Sequence, residues 1–324
     1  MTKALVVITS SSAAVLPALI ADAGDQTAKH FLEFFAATIR NKNTREAYYR
    51  ACCRFFAWCE DPRTGIASLA DIEPIHVAAH VEALMKDYEK PTVKQHLAAI
   101  RMCFDYLVTK GAIATNPAHA VRGPKHSVKR GKTPVLSSGD ARDVLDSIDT
   151  STLIGLRDRA LIAVMTYTFA RVSAVIKMKG EDYFHSDDQW RLRLHEKGGK
   201  LHEVPAHLKL KQYLDEYIAA AGIARDKKSP LFRSARGKTG ELTSKAMARQ
   251  DVFRMIGRRA PELRKRSKIG CHTFRATGLT AFLNNGGRLE DAQAIAAHES
   301  LRTTQLYDRR DDEITLAQVS KIKI

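Results

Sequence analysis

A chain of 324 residues is long enough for two domains, each with its own core. Hydrophobic residues at 44% and charged residues at 27% exclude a disordered or collagen-like chain. With 52 Lys and Arg against 36 Asp and Glu the formal net charge is +16, which points to a polyanionic partner, nucleic acid first.

The first residues imitate a leader: Lys3, an apolar run and Ala21-Asp22-Ala23 follow the order of a secretory signal. Thr9-Ser10-Ser11-Ser12 and Pro17 interrupt that run, so residues 1–26 are read as a mobile N-terminal arm. No segment is long enough to span a bilayer, and a cytoplasmic location without membrane attachment is expected. The five cysteines (Cys52, Cys53, Cys59, Cys103, Cys271) are odd in number and form no CxxC pair. They read as reduced, mostly buried small hydrophobes.

Residues 27–121 form a wholly helical block. Asn43-Thr44-Arg45-Glu46 offers an N-cap with an acid three residues on, followed by an amphipathic run from Ala47 to Cys59. Pro91-Thr92 opens a second helix through Leu97, Ile100, Phe104 and Leu107, and Asn116-Pro117 closes the block. Arg45, Lys94 and Arg101 punctuate these helices and are candidate DNA contacts. Residues 122–133 then read as a linker, with Gly123, Pro124 and Gly131. Arg122, Lys125, Lys129, Arg130 and Lys132 face no acid there, which suits a path along a phosphate backbone. Gly131-Lys132-Thr133 resembles the end of a P-loop, but His126 stands where the first glycine is required.

From residue 134 to the end the pattern is mixed. Ser137 or Ser138 caps a helix through Ala141, Val144 and Ile148, and the apolar stretch from Leu156 to Met178 breaks at Phe169-Ala170-Arg171. Trp190 to His195 alternates like a strand, Gly198-Gly199 turns, and Leu201 to Val204 returns. Helical patterns resume from His207. A tail begins at about residue 311.

Chemistry-bearing residues concentrate in this second block. Arg171, inside an apolar run, needs an anion, either a domain carboxylate or a ligand. Lys197 stands at the hairpin tip, where a long side chain can reach into a groove and donate a proton. His272 and Arg275 are three apart and share a helix face; an arginine fork fits two phosphate oxygens. His298-Glu299 begins like a zinc site, but Arg302 stands where the second histidine ligand belongs, so no metal is expected. Tyr307 lies nine residues beyond His298. A phenol becomes a nucleophile when a base takes its proton and cations stabilise the anion.

Arg171, Lys197, His272-x-x-Arg275, His298 and Tyr307, in that order, resemble the signature of the tyrosine recombinases of the phage-integrase family. Ala170-Arg171-Val172-Ser173, the Lys-Gly-Gly-Lys hairpin, His-Thr-Phe-Arg-Ala-Thr and Ala-His-Glu-Ser match its local sequences, and the resemblance runs from about residue 27 to 310. It implies a mainly α fold with a small β-sheet: a helical core-binding domain (27–121), a basic linker (122–133) and an α+β catalytic domain (134–324), closing as a C-shaped clamp on duplex DNA. By the same resemblance Tyr307 attacks the scissile phosphate to give a 3′-phosphotyrosyl bond. Arg171 and Arg275 hold its oxygens, Lys197 is the general acid, His272 accepts the tyrosine proton and His298 hydrogen-bonds the phosphate. No cofactor, metal or ATP is required. Inverted-repeat sites are exchanged by a tetramer through a Holliday junction, with residues 311–324 (Leu316, Val319 and Ile322 among them) docking on a neighbouring copy. The family's usual acid three residues after its first arginine is here Ala174, so Arg171 is expected to lean on another partner. A catalytically silent DNA-binding protein of the same fold and a type IB topoisomerase-like relaxation activity are the alternatives.

Overall fold

Two clusters of buried apolar side chains, one in each half of the sequence, organise the chain. The computed structural model describes residues 16–128, 131–196, 199–308 and 320. It divides between Ser127 and Val128, inside the basic stretch expected to be a linker.

In the first unit, residues expected in the N-terminal arm are helical. Helix α1 (Ala18–Asp22) buries Leu19 and Ile20 in the core, and α2 (Asp25–Glu33) follows directly. Residues 1–15 lie outside the described residues. After α2 one π-turn spans Phe34–Thr38. Such a turn rotates successive side chains less than an α-turn does, and the consecutive Phe34 and Phe35 are both buried. Helix α3 (Lys42–Cys59) starts before the cap read from sequence. Asn41, not Asn43, is the N-cap, its carboxamide oxygen accepting from the amides of Asn43 (3.0 Å) and Thr44 (3.1 Å). With α4 (Pro74–Asp87) and α5 (Lys90–Thr109) it encloses Phe31, Phe55, Phe56 and Phe104, which meet edge to face; Phe56 lies 5.8 Å from Phe31 and 5.9 Å from Phe104. Each such ring contributes about 2–3 kcal/mol by burial. Cys52, Cys59 and Cys103 are buried in the same core as free thiols.

The second unit is built on α7 (Leu153–Tyr167), preceded by α6 (Ser138–Asp146), which Ser137 caps by accepting from the Asp140 amide. Ala160 to Met165 are all inaccessible, so this stretch of α7 is apolar on every side and central. Its buried Asp158 is matched by cations: Arg157 reaches one carboxylate oxygen at 2.6 Å and Arg259 the other at 2.9 Å. The chain breaks after Tyr167 and resumes in the single turn α8 (Val172–Val175), as the apolar run suggested. Strands β1 (Tyr183–Ser186), β2 (Gln189–His195) and β3 (Leu201–Pro205) form an antiparallel sheet with Leu192 opposite Val204. Leu192, Leu194 and Val204 are buried while their neighbours are more exposed, which is the alternation read from sequence. The hairpin connection is longer than the two-residue turn expected, because His195 pairs with Leu201.

Helix α9 (Leu208–Ala220) packs on α7, and β4 (Arg233–Ala235) pairs with β5 (Leu242–Ala246). Then come α10 (Arg249–Arg259), α11 (Pro261–Arg266), α12 (Cys271–Asn284), α13 (Leu289–Ile295) and α14 (Leu301–Gln305). The fold is thus mainly helical with small antiparallel sheets. Among the described residues no helix is long and apolar enough to cross a membrane.

Helix α12 crosses α7 at Gly278. A Cβ there would stand 1.8 Å from the Thr166 carbonyl oxygen and 3.1 Å from the Phe169 ring, so only glycine admits this approach. Gly278→Ala is therefore expected to cost about 3 kcal/mol or more, because backbone rather than a flexible side chain must yield. In thermal melts of the full chain the second unit's transition should fall by roughly 6–12 °C. An unchanged melt would mean that the two helices can part freely.

Candidate active site

Five of the residues singled out from sequence share one neighbourhood in the second unit: Arg171, His272, Arg275, His298 and Tyr307. Lys197 lies outside the described residues. Arg275, in the first turns of α12, is the centre and is only 2% exposed. Its guanidinium donates to the Phe169 carbonyl, to the Ala296 carbonyl (2.9 Å) and to His298 Nε2 (2.6 Å). Neutral acceptors, rather than a carboxylate, thus satisfy much of a buried cation and leave its charge uncancelled. Burial, and after it Arg171, bring the Arg275 pKa down to about 10, so it stays charged at neutral pH.

The backbone is strained where it serves this arginine. Phe169 has φ 52° and Ala297 φ 49°, a left-handed conformation that side chains other than glycine disfavour by roughly 1–2 kcal/mol. Phe169 supplies one acceptor carbonyl itself; Ala297 immediately follows the other. The strain sits at the two turns that aim oxygens at Arg275.

Because Arg275 can only donate, His298 Nε2 must accept, which places the ring proton on Nδ1, 2.9 Å from Thr304 Oγ1. Burial first, then Arg275 and Arg171, depress the His298 pKa to about 4, so the ring is neutral. Both ring nitrogens are engaged within the protein. In this arrangement the ring orients Arg275, and burial and two neighbouring cations keep it a neutral acceptor.

Tyr307 follows α14. Its ring stacks on that of His298 at 5.9 Å and 14°, and its carbonyl accepts from Thr280 Oγ1 at 2.9 Å. Hydrogen bonding with the Tyr307 side chain also acts on Arg275. The preceding carbonyl, Leu306, accepts from the Gly131 amide at 3.0 Å, which joins the end of the basic stretch to the segment bearing Tyr307.

Arg171 caps α8, and its Nη1 donates to Glu196 Oε2 at 2.5 Å. Ala174, where an acid was noted as missing, is fully buried. The partner for Arg171 comes instead from the end of β2, a link across 25 residues that no local pattern in the sequence announces. His272 is half-buried beside a cleft also lined by Lys132, Arg249, Gln250, Phe253 and Lys268. Its pKa is lowered by burial and then by Arg275, Arg249 and Arg171, and among the described residues it makes no hydrogen bond to Tyr307. Arg249 and Thr304 were not singled out from sequence; both are ordinary polar residues until folding brings them to His272 and His298.

Two of the candidate DNA contacts have other work. Arg45 Nε and Nη2 donate to the Ile39 carbonyl (3.0 and 2.9 Å), and Arg101 donates to the carbonyls of Ala118 and Val121. These carbonyls lie where helical bonding has stopped, and the arginines satisfy them. Lys94, Arg122, Lys125 and Lys132 are exposed, while Lys129 and Arg130 lie outside the described residues.

Residues 134–313 match the phage integrase family. The tyrosine recombinase XerC of Thermodesulfovibrio yellowstonii is 30% identical over 247 residues, covering 74% of this chain and 78% of that one. XerD of Listeria innocua is 27% identical over 270 residues, covering 82% and 87%. Among solved structures, the site-specific recombinase XerH in a post-cleavage complex with palindromic difH substrate aligns at TM-score 0.69 and 16% identity, over 91% of this chain and 92% of that one. A lambda integrase tetramer bound to a Holliday junction aligns at TM-score 0.67 and 18% identity, over 90% and 79%. At such identities the structural likeness concerns the fold.

Proposed function

The chain belongs to the phage integrase family and is a tyrosine-type site-specific recombinase, and on that premise we propose that Tyr307 is its nucleophile and that Arg171 and Arg275 hold the scissile phosphate. The observation that carries this is the placement of Tyr307, stacked on His298 and beside a buried arginine of its own chain. The phenol oxygen attacks phosphorus, the bond to the 5′ oxygen breaks, and a 3′-phosphotyrosyl link and a free 5′-hydroxyl result. Arg171 and Arg275 stabilise the negative charge that grows on the non-bridging oxygens. Their pull is strong because Arg275 is desolvated and already oriented. His298 acts through Arg275, holding one of its nitrogens. Lys197 gives the departing 5′ oxygen its proton.

His272 takes the phenolic proton, which requires it to be neutral; the burial and cations that depress its pKa favour that state. Each neighbouring cation lowers the pH at which His272 loses its proton. Arg249→Ala is therefore expected to move the acid limb of single-turnover cleavage to higher pH. A limb that stays in place would mean that another group sets it.

A 5′-hydroxyl from a partner strand then attacks the phosphotyrosine, so bond energy is conserved. The lambda integrase tetramer on a Holliday junction supports an assembly of four copies; the two sites it exchanges are proposed to carry inverted-repeat arms. Residues 311–324, the segment assigned to docking in trans, lie outside the described residues except for Ser320. The test uses a DNA site identified by footprinting, presented as paired full sites. Reciprocal exchange of the flanking segments, with every strand resealed and no ATP added, is expected. Relaxation of any plasmid without exchange would favour the topoisomerase reading, and binding without a covalent adduct the silent one.

A further inference from the structure

The Glu196 side chain is only 3% exposed, and a buried carboxylate is costly unless a cation meets it. Arg171 does so through Nη1, while among the described residues its Nε and Nη2 have no hydrogen-bond partner. Hairpin closure does not depend on this carboxylate. The Glu196 amide already donates to the Lys200 carbonyl at 2.8 Å, and His195 pairs with Leu201. The arginine, by contrast, needs a tether. It precedes a helix of four residues, and its side chain is 30% exposed, so little packing restricts its rotamers. The same carboxylate also acts favourably on Arg275, opposing the repulsion between the two arginines. Two cations and one carboxylate leave a net positive cradle for an incoming phosphate.

We propose that Glu196 is a positioning residue for recombination, fixing one end of the Arg171 guanidinium so that its other donors face the scissile phosphate. This rests on Arg171 being a phosphate-holding cation, as assigned above. The fork is then preorganised before DNA arrives, and its orientation need not be established during the reaction.

A double-mutant cycle on the full chain tests this, using single-turnover cleavage of a nicked suicide DNA site at saturating protein. Glu196→Gln keeps the volume and loses the charge. It should slow cleavage about 10- to 100-fold, the effect of losing one charge-assisted hydrogen bond, with DNA affinity within about threefold. In an Arg171→Ala background the same change should cost less than about threefold, because there is no fork left to orient. A rate within threefold of wild type, or an equal loss in both backgrounds, overturns the proposal, since a purely structural role would be additive. Should Glu196→Gln fail to fold, Glu196→Asp carries the test: withdrawing the carboxylate by one methylene must slow cleavage, and an unchanged rate overturns the idea. A wild-type chain that forms no adduct would instead overturn the assignment of Tyr307, and the role of Glu196 with it.

Discussion

Tyr307→Phe is expected to abolish covalent attachment to DNA, by a factor of about 10⁴ or more, while leaving DNA affinity within about twofold. The phenylalanine keeps what the ring does in the fold: it stacks on His298 and packs on the cluster of Phe169, Leu279 and Leu283. Only the oxygen is lost, the atom proposed to form the bond to phosphorus. Other tyrosines in this unit are poorly suited to replace it. Tyr217 is buried, its hydroxyl donates to the Leu231 carbonyl at 2.8 Å, and its pKa is pushed up to about 12, chiefly by burial. Tyr183 donates to Asp215 at 2.9 Å and is likewise raised, by burial first and then by that carboxylate. Gel shift and detergent-resistant adduct formation, measured on the same preparation, check both halves. An adduct that persists in the variant would remove Tyr307 from the mechanism.

The second large effect is expected at Arg275, and it has two parts. Arg275→Gln should lower cleavage by about 10³-fold or more, since the cation facing the developing charge is lost. It should also destabilise the second unit by about 2–4 kcal/mol, because the Phe169 and Ala296 carbonyls and His298 lose their donor in a buried site. Arg275→Lys should restore neither fully: an ammonium cannot span three acceptors that a planar fork reaches. Arg171→Ala provides the contrast. Arg171 is part-exposed and among the described residues makes one side-chain hydrogen bond, to the buried Glu196, so cleavage should fall steeply; in a Glu196→Gln background, where no carboxylate is left unpaired, the melt should move little with it. Parallel losses of stability at the two arginines would contradict the division of labour drawn here.

What could be read from sequence was local and periodic. The alternation from Trp190 to His195 and from Leu201 to Val204 survives in the sheet because a strand shows its two faces in strict turn. The break at Phe169-Ala170-Arg171 was visible as an arginine in an apolar run. It became interpretable only when the Phe169 carbonyl was found on Arg275, across 106 residues. Asn41 and Asn43 compete for one cap, and composition cannot choose between two identical side chains so close together. The helix α1 was hidden by the short length of its apolar stretch, whose burial is a property of the core it joins. The backbone bonds of Arg45 and Arg101 were hidden for the same reason. A basic side chain that holds loop carbonyls looks, in sequence, like any other surface cation. Glu196 carried no signal at all, since an acid in a polar hairpin is unremarkable until its burial is known.

The most direct test of the account is to map the covalent link itself. Wild-type protein is trapped on a nicked suicide DNA site, digested with nuclease and trypsin, and the nucleotide-bearing peptide is identified by mass spectrometry. Trypsin cuts after Arg302 and Arg309, so the expected product is the peptide from Thr303 to Arg309 carrying a 3′-linked nucleotide on Tyr307. A nucleotide found on any other residue, or no linked peptide from protein that binds the site, would contradict it.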